Sequence, residues 1–210
     1  ERARNGHPEP WKIAYFAVGN ETWGCGGNMS REYYTDVFRQ YATFLKSPEG
    51  ARPAIVASGG HDEDTSWTES LIAKADPHKS GNPLMNAITF HYYIIPGNDW
   101  QHKGSAVGFG EDHWMSALVK TLKMDDFVRS NAAIMDKYDP KKKVALVVDE
   151  WGIWTDAEPG TNPAFLYQQN SLRDALIAGT TLNIFNNHTD RVKMANLAQT
   201  VNVLQALILT

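Results

Sequence analysis

Apolar residues along this 210-residue chain follow two periods. Five short runs rich in β-branched or aromatic residues predict strands over residues 13–18, 54–57, 87–91, 144–148 and 182–185. The longer stretches between them carry helical spacing. From residue 31 to 46, Tyr34, Val37, Phe38, Tyr41, Phe44 and Leu45 fall at i, i+3, i+4, i+7, i+10 and i+11, with Ser30 placed to cap the first turn and "SPEG" to stop the last. A shorter helix over 67–75 precedes the third strand. A glycine-containing loop over 96–111 follows that strand and leads into helical sequence that breaks near Met124-Asp125. Beyond the fourth strand, Asn162 caps a helix that Pro163 opens and that ends by Gly179. A largely apolar helix over 192–209 follows the last strand.

Strands alternating with helices build βα units around a parallel sheet, which either closes as a barrel or lies open and doubly wound. Periodicity does not choose, but the strand ends help. Each predicted strand runs into a small or polar cluster: "GNE", "SGG", "HYY", "DEWG" and "NNH". In a (β/α)8 barrel such ends share one rim, where active sites sit. A dinucleotide-binding open sheet would place G-x-G-x-x-G after its first strand, and that fingerprint is absent; "GFGEDH" follows no strand closely and lacks the third glycine. The fold class expected is α/β, a (β/α)8 TIM barrel of which this chain supplies about five βα units. Five strands do not close such a barrel, so about three units are expected on the N-terminal side, and the first residues, "ERARNGHPEP", carry neither an initiator Met nor an apolar signal core.

Composition narrows the function. With 42% hydrophobic residues the chain can bury a core, and a net charge of −4 provides no basic field for nucleic acid or anionic lipid. The lysine run 141–143 reads as a solvated approach to a strand. No apolar run is long enough to span a membrane. The single cysteine, Cys25, excludes an intramolecular disulfide and a cysteine-based zinc cluster, while leaving the compartment open between cytoplasm and export.

Two glutamates stand at predicted strand ends: Glu21 in "VGNETWG" and Glu150 in "VVDEWGIW". Taken singly, each reads as a surface carboxylate at a strand-to-loop junction. Taken together they suit glycoside hydrolysis, which needs one carboxyl group to protonate the leaving oxygen and a second to attack or to activate water. A tryptophan follows each closely, a flat surface of the kind on which sugars stack. Asp149 is expected to point away from the site if strand alternation holds. The acidic run Asp62-Glu63-Asp64 beside His61 reads as a charged loop before a helix rather than a cation site.

The motifs "VGNETWGCGGNM", "FHYY" and "VVDEWGIW", in that order, closely resemble the α-L-arabinofuranosidases of glycoside hydrolase family 51, part of a clan of (β/α)8 retaining glycosidases. The resemblance runs from "ARNGHPEPW" to "RVKMANLAQTVNVLQ", essentially the whole chain. In that clan the acid/base follows Asn at the end of strand 4 and the nucleophile ends strand 7. Numbering the first predicted strand as strand 4 makes the fourth strand 7, so the count from periodicity agrees with the family's order.

Carried over residue by residue, the resemblance implies Glu21 as general acid/base and Glu150 as nucleophile. It implies substrate contacts from Asn20, at the sugar hydroxyl next to the anomeric carbon, from His91 and Tyr93 of the "H-x-Y" motif, and from Gln199. Tyr93 is expected to orient the nucleophile. Trp23 and Trp154 are expected to wall the cleft, with Trp151 packing or walling beside them, and Cys25 is read equally as a sugar-site neighbour or a small loop residue. The acid role requires a raised pKa at Glu21.

The resemblance implies no metal and no other cofactor. Its implied partner is an arabinose-containing oligo- or polysaccharide, with the rest of the barrel supplied by the same gene or another chain, and a homo-oligomer is compatible with it. The family's C-terminal β-sandwich is expected outside residues 1–210, and the chain expressed alone is expected to be inactive and poorly soluble. The exo-acting α-L-arabinofuranosidase competes with a related endo-glucanase or xylanase, and with an inactive carbohydrate-binding fragment or subunit.

Overall fold

The computed structural model describes residues 1–45, 52–74 and 84–210. Five strands alternate with helices: β1 (Tyr15–Val18), α1 (Arg31–Phe44), β2 (Ala54–Ala57), α2 (Ser66–Lys74), β3 (Ala87–Ile94), α3 (Glu111–Tyr138), β4 (Ala145–Ile153), α4 (Leu172–Asn187) and β5 (Val192–Leu197). A single 3-10 turn, Pro163–Phe165, lies between β4 and α4.

All neighbouring strands pair in parallel, in the order β1-β2-β3-β4-β5. That order never reverses, so the sheet has no switch point of the doubly wound kind. It is an arc of a barrel with β1 and β5 at its edges. Alternation sorts the side chains onto two faces. On the outer face, Ile55, Ile88, Phe90, Leu146, Val148 and Trp151 form the main core against helix residues such as Phe38, Leu71, Met124, Val128 and Ile177. The inner face carries a small cluster, Val56, Ala87 and Val147, with Ala145 and Met194 beside it. Edge strand β1 is half bare, with Tyr15 and Phe16 55% and 41% exposed.

Several sequence expectations are corrected. Residues 182–185 are not a strand but the last turns of α4, whose buried Ile177, Thr181, Ile184 and Phe185 recur at i, i+4, i+7 and i+8. A short β-branched run cannot by itself distinguish the two periods. Ser171 and Asp174 form a capping box that starts this helix, and Gly179 lies within it. The fifth strand is instead residues 192–197, read from the sequence as the start of a helix. Pairing with β4 decides its state, an instance of tertiary context overriding local pattern. Past Leu197 the chain runs irregularly, with Leu204 and Ala206 buried.

Asn162 caps only the 3-10 turn, accepting from Ala164 N at 3.0 Å. The helical sequence after the long loop does not break at Met124-Asp125. Met124 is fully buried on the packed face of α3, and Asp125 pairs with Arg129 one turn on, at 3.0 Å. Ser30 caps α1 as expected, its Oγ accepting from Tyr33 N at 3.3 Å. Tyr41 and Phe44, counted on the apolar face of α1, are 62% and 76% exposed, and Ala42 takes the buried position instead. Lys46, the "SPEG" stop and Ala75 lie outside the described residues.

Candidate active site

At the C-terminal ends of β1, β3 and β4 the chain gathers an acidic constellation around one histidine. The loop after β1 is wound tightly. Gly19 has φ +89°, Glu21 has φ +44°, and the Glu21 carbonyl accepts from Gly24 N at 2.8 Å and Gly26 N at 3.0 Å. A Cβ on Gly26 would lie 1.7 Å from the Asn20 carbonyl oxygen, so only glycine lets the "GCGG" segment close over Asn20-Glu21. This winding aims the Glu21 side chain at the inner face of the arc.

Strand β3 places Ala87, Thr89, His91 and Tyr93 on that inner face, which is why the two ends of "H-x-Y" reach the same site. Pairing with β4 then slips: Thr89 sits opposite Val147, but His91 sits opposite Glu150. Two residues on β3 face three on β4, a bulge. Asp149 keeps the phase of Val147, and the extra residue brings Glu150 round to the same side. The expectation that Asp149 points away is therefore overturned. Its Oδ1 lies 3.1 Å from His91 Nε2.

The resulting contacts are close. His91 Nδ1 lies 3.0 Å from Glu21 Oε1 and 3.7 Å from Glu150 Oε2. Tyr93 donates its hydroxyl to Glu150 Oε2 at 2.7 Å, and Asn20 donates Nδ2–H to Glu150 Oε1 at 3.2 Å. Cys25 donates its thiol to Glu21 Oε2 at 3.2 Å. One atom each from Glu21, His91 and Glu150 lie within 4.8 Å of one another. Donor atoms this close can ligate a cation, but His91 Nδ1 and Glu21 Oε1 already bond each other, so an ion would have to displace that hydrogen bond.

Glu21, His91 and Tyr93 line a cleft of about 150 Å³ together with Trp23, His61, Asp62, Trp100 and Trp154. Trp23 packs on His61 at 4.1 Å between ring centroids, and Trp154 stands edge-on to Tyr93 at 5.0 Å and to Trp100 at 5.4 Å. The long loop after β3 is tied down by Lys120, which donates to the Ile95 and Gly97 carbonyls at 2.8 and 2.7 Å, and by Asp156, which accepts from Lys103 N and Gly104 N. These ties fix the loop that carries Trp100 to the wall. Trp151 turns outward, buried against Phe185, and takes no part in the cleft.

Burial tends to lower the pKa of His91, but the contacts with Asp149 and Glu21 and the charge of Glu150 outweigh it and lift the imidazole to about 9. The hydrogen bond with His91 in turn holds Glu21 below the usual carboxylate range, against the opposing effect of burial. This is the reverse of the raised value expected for an acid. Burial first, and then the bond to Glu150, raise the Tyr93 hydroxyl, so it remains a donor. The bond to Glu21 pushes the Cys25 thiol up.

Of the residues singled out in the sequence, Glu21, Glu150, Asn20, Cys25, His91 and Tyr93 are joined by direct contacts, and Trp23 and Trp154 stand in the same cleft. Gln199 is not brought in. It is exposed just beyond β5, at the same end of the sheet, and its neighbourhood is set by backbone bonds to Val203 and Leu207. Sequence reasoning missed Trp100, His61 and Asp62 as cleft residues and Asp149 as a neighbour of His91. An aromatic residue in a long glycine-containing loop was the one available signal for Trp100. Asp64 serves α2 instead, accepting from Ser66 N at 3.0 Å.

A parallel arc without strand reversal, with paired carboxylates at its C-terminal rim, defines part of a barrel of the glycoside hydrolase type. The family model for the α-L-arabinofuranosidase 1 domain matches residues 1–115, and that for the α-L-arabinofuranosidase C-terminal domain matches residues 149–210. The chain belongs to the α-L-arabinofuranosidases of glycoside hydrolase family 51. It is 47% identical over its whole length to an intracellular exo-α-L-arabinofuranosidase of Bacteroides ovatus, covering 39% of that protein. The crystal structure of the family 51 arabinofuranosidase from Xanthomonas axonopodis pv. citri matches with a TM-score of 0.92 and 53% identity, over all of this chain and 41% of that one. The α-L-arabinofuranosidase of Thermotoga maritima in complex with arabinose shares the fold, with a TM-score of 0.75 at 23% identity, over all of this chain and 38% of that one. The chain thus spans about two fifths of the length of each of these three proteins.

Proposed function

We propose that this chain supplies the catalytic rim of a retaining, exo-acting α-L-arabinofuranosidase that releases arabinose from arabinan or arabinoxylan. The observation that carries this reading is the approach of Glu21 and Glu150 oxygens to within 4.8 Å. Retaining glycosidases keep their carboxyl groups about 5–5.5 Å apart, and inverting ones leave room for a water between them.

In the proposed reaction a Glu150 oxygen attacks the anomeric carbon, the bond to the leaving oxygen breaks, and Glu21 gives that oxygen its proton. Water then gives a proton back to Glu21 and attacks the same carbon, releasing Glu150 from the glycosyl ester. Tyr93 and Asn20 hold one Glu150 oxygen each, which orients the nucleophile. Asn20 also stands where it can reach the neighbouring sugar hydroxyl. Trp23 and Trp154 wall the sugar, Cys25 borders it through Glu21, and Gln199, exposed beyond β5 at the same end of the sheet, is a candidate outer contact. About three further βα units, from the same gene or another chain, complete the barrel around this rim, and the family's β-sandwich lies outside residues 1–210. The name of the Bacteroides relative favours action inside the cell.

The test uses the full-length gene product on a chromogenic α-L-arabinofuranoside and a matched β-glucoside, with the anomeric proton of the first product followed by NMR. Hydrolysis of the arabinofuranoside with retention is expected, and so is azide rescue of Glu150→Ala to a β-configured azide. Preference for the β-glucoside, or an inverted first product, overturns the reading.

A further inference from the structure

Asp149 has no place in the reaction as described, yet the bulge in β4 delivers it to the active-site histidine. The ring of His91 is 4% exposed and lies between two carboxylates, with Nδ1 3.0 Å from Glu21 Oε1 and Nε2 3.1 Å from Asp149 Oδ1. The Asp149 oxygen is enclosed, and no hydrogen bond of good geometry satisfies it among the described residues, which makes the imidazole its counter-charge. A carboxylate offers only acceptors, and a neutral imidazole has one N–H. Two carboxylates flanking one ring therefore need two protons between them. Either both ring nitrogens carry one, or Nε2 keeps its proton and the other has moved along the Nδ1 to Oε1 bond onto Glu21.

These two arrangements contain the same atoms and differ by one proton shift across 3.0 Å. In the first, Glu21 is ionised and ready to act as base. In the second it is an acid. Asp149 serves both because its charge favours a proton on Nε2, so that the Nδ1 proton is the mobile one. We propose that Asp149 is a positioning residue for the reaction, which through His91 keeps beside Glu21 the proton that Glu21 delivers to the leaving oxygen.

The other charged and titratable groups around the ring fit this role. Glu150, from β4, lies 3.7 Å from Nδ1 and adds to the negative field. From the loop after β2, His61 is bridged to the His91 backbone and is itself paired with Asp62 at 3.1 Å, a contact that raises the His61 pKa. Tyr93, from the same strand, donates to Glu150. Tyr34, from α1, is buried and stays protonated at ordinary pH, its hydroxyl donating to the Val18 carbonyl. Among the described residues, Asp149 is the carboxylate that contacts Nε2. The stored proton also reconciles a Glu21 held below the usual carboxylate range with the acid role proposed for it.

The inference rests on the proposed glycosidase reading, and its test separates the two. In the full-length gene product, kcat/KM for a chromogenic α-L-arabinofuranoside is measured against pH for the wild type, Asp149→Asn and Asp149→Glu. Removing the charge should move the basic limb of the profile down by about one pH unit or more, since an opposite charge this close shifts a pKa by about 1–3 units. The rate below the limb should hold within about tenfold, and Asp149→Glu should restore part of the shift. A uniform loss of rate at every pH with the limb unmoved would mean a structural role only and overturns the inference. An inactive wild type, or an active Glu150→Ala, would instead remove the reading beneath it. If Asp149→Asn fails to fold, the histidine side-chain 15N shifts of the wild type decide, with His91 assigned by its loss in His91→Gln. A protonated Nε2 at pH 7 is expected, and a His91 whose Nε2 carries no proton there overturns the inference.

Discussion

The two ends of the sheet each hold a buried charged cluster, and they are built on opposite principles. At the N-terminal ends of β4 and β5, Arg191 is 1% exposed and makes four hydrogen bonds. It donates to Asp139 Oδ2 at 2.9 Å, the Val144 carbonyl at 2.8 Å, the Asp139 carbonyl at 2.7 Å and Asp136 Oδ1 at 2.5 Å. Lys142 closes the cluster on Asp190. Two cations meet three carboxylates there, and the planar guanidinium has a carbonyl or carboxylate for nearly every N–H. At the C-terminal ends, Glu21, Asp149 and Glu150 crowd around a single imidazole, so negative charge exceeds positive. The more nearly balanced end holds strands and helix together. The unmatched end keeps a proton mobile and two carboxylates available, which costs stability and supplies chemistry.

The sharpest way to break this contrast is to remove charge from each end and ask what fails. Glu150→Gln should lower kcat/KM by about 10⁴-fold or more, as loss of a nucleophile does. Thermal melting should show no loss of stability, because the substitution relieves crowding among three carboxylates. A clear fall in the melting temperature would show that the rim is structural after all. Arg191→Met should do the reverse. Removing the guanidinium from beside Asp139, which is wholly buried, should cost about 3–5 kcal/mol in urea unfolding, with the pH dependence of kcat/KM unchanged.

The same cluster has a pH signature of known sign. Burial pushes the Asp139 carboxyl up, but bonds from Val144 N and Arg191 outweigh it and hold the pKa below its ordinary value. A depressed folded-state pKa gives stability that is present above the unfolded value of about 3.9 and is lost as pH falls through the folded one. Part of that acid-side loss should vanish in Arg191→Met.

Smaller substitutions at the rim grade the comparison. Tyr93→Phe deletes the 2.7 Å donor to Glu150 and should reduce kcat by about 10- to 100-fold, the value of a hydrogen bond to a charged group at roughly 1.5–3 kcal/mol. Cys25→Ala removes only a weak thiol donor from Glu21 and should change kcat/KM by about threefold or less. A larger effect would make Cys25 part of the proton inventory.

The sites where reading the chain succeeded and failed share a logic. Glu21 and Glu150 were legible because each sits at the end of a short apolar run, and His91 and Tyr93 because the "FHYY" motif that ends another such run resembles the family's. Strands β2, β3 and β4 were found for the same reason, although β3 and β4 extend further than the runs suggested. The last third was misread. "LNIF" and "VKMANL" carry patterns compatible with either state, and the choice was made by what each segment packs against: the helix layer for Ile184 and Phe185, the open edge of β4 for Val192 and Met194. Trp100 escaped notice because a loop of residues has no period, and its place on the wall depends on Lys120 and Asp156 from two other elements.

By itself the sequence determined the strand–helix alternation, the acidic strand ends and the motif that places the chain in its family, because these depend on local spacing of residue types. The tertiary structure alone decided the strand order, the sites of the last strand and helix, and above all the direction of Asp149. Alternation along an isolated strand sends neighbouring side chains to opposite faces. A bulge exists only in the pairing of two strands, so no reading of β4 alone could show that Asp149 and Glu150 face the same histidine.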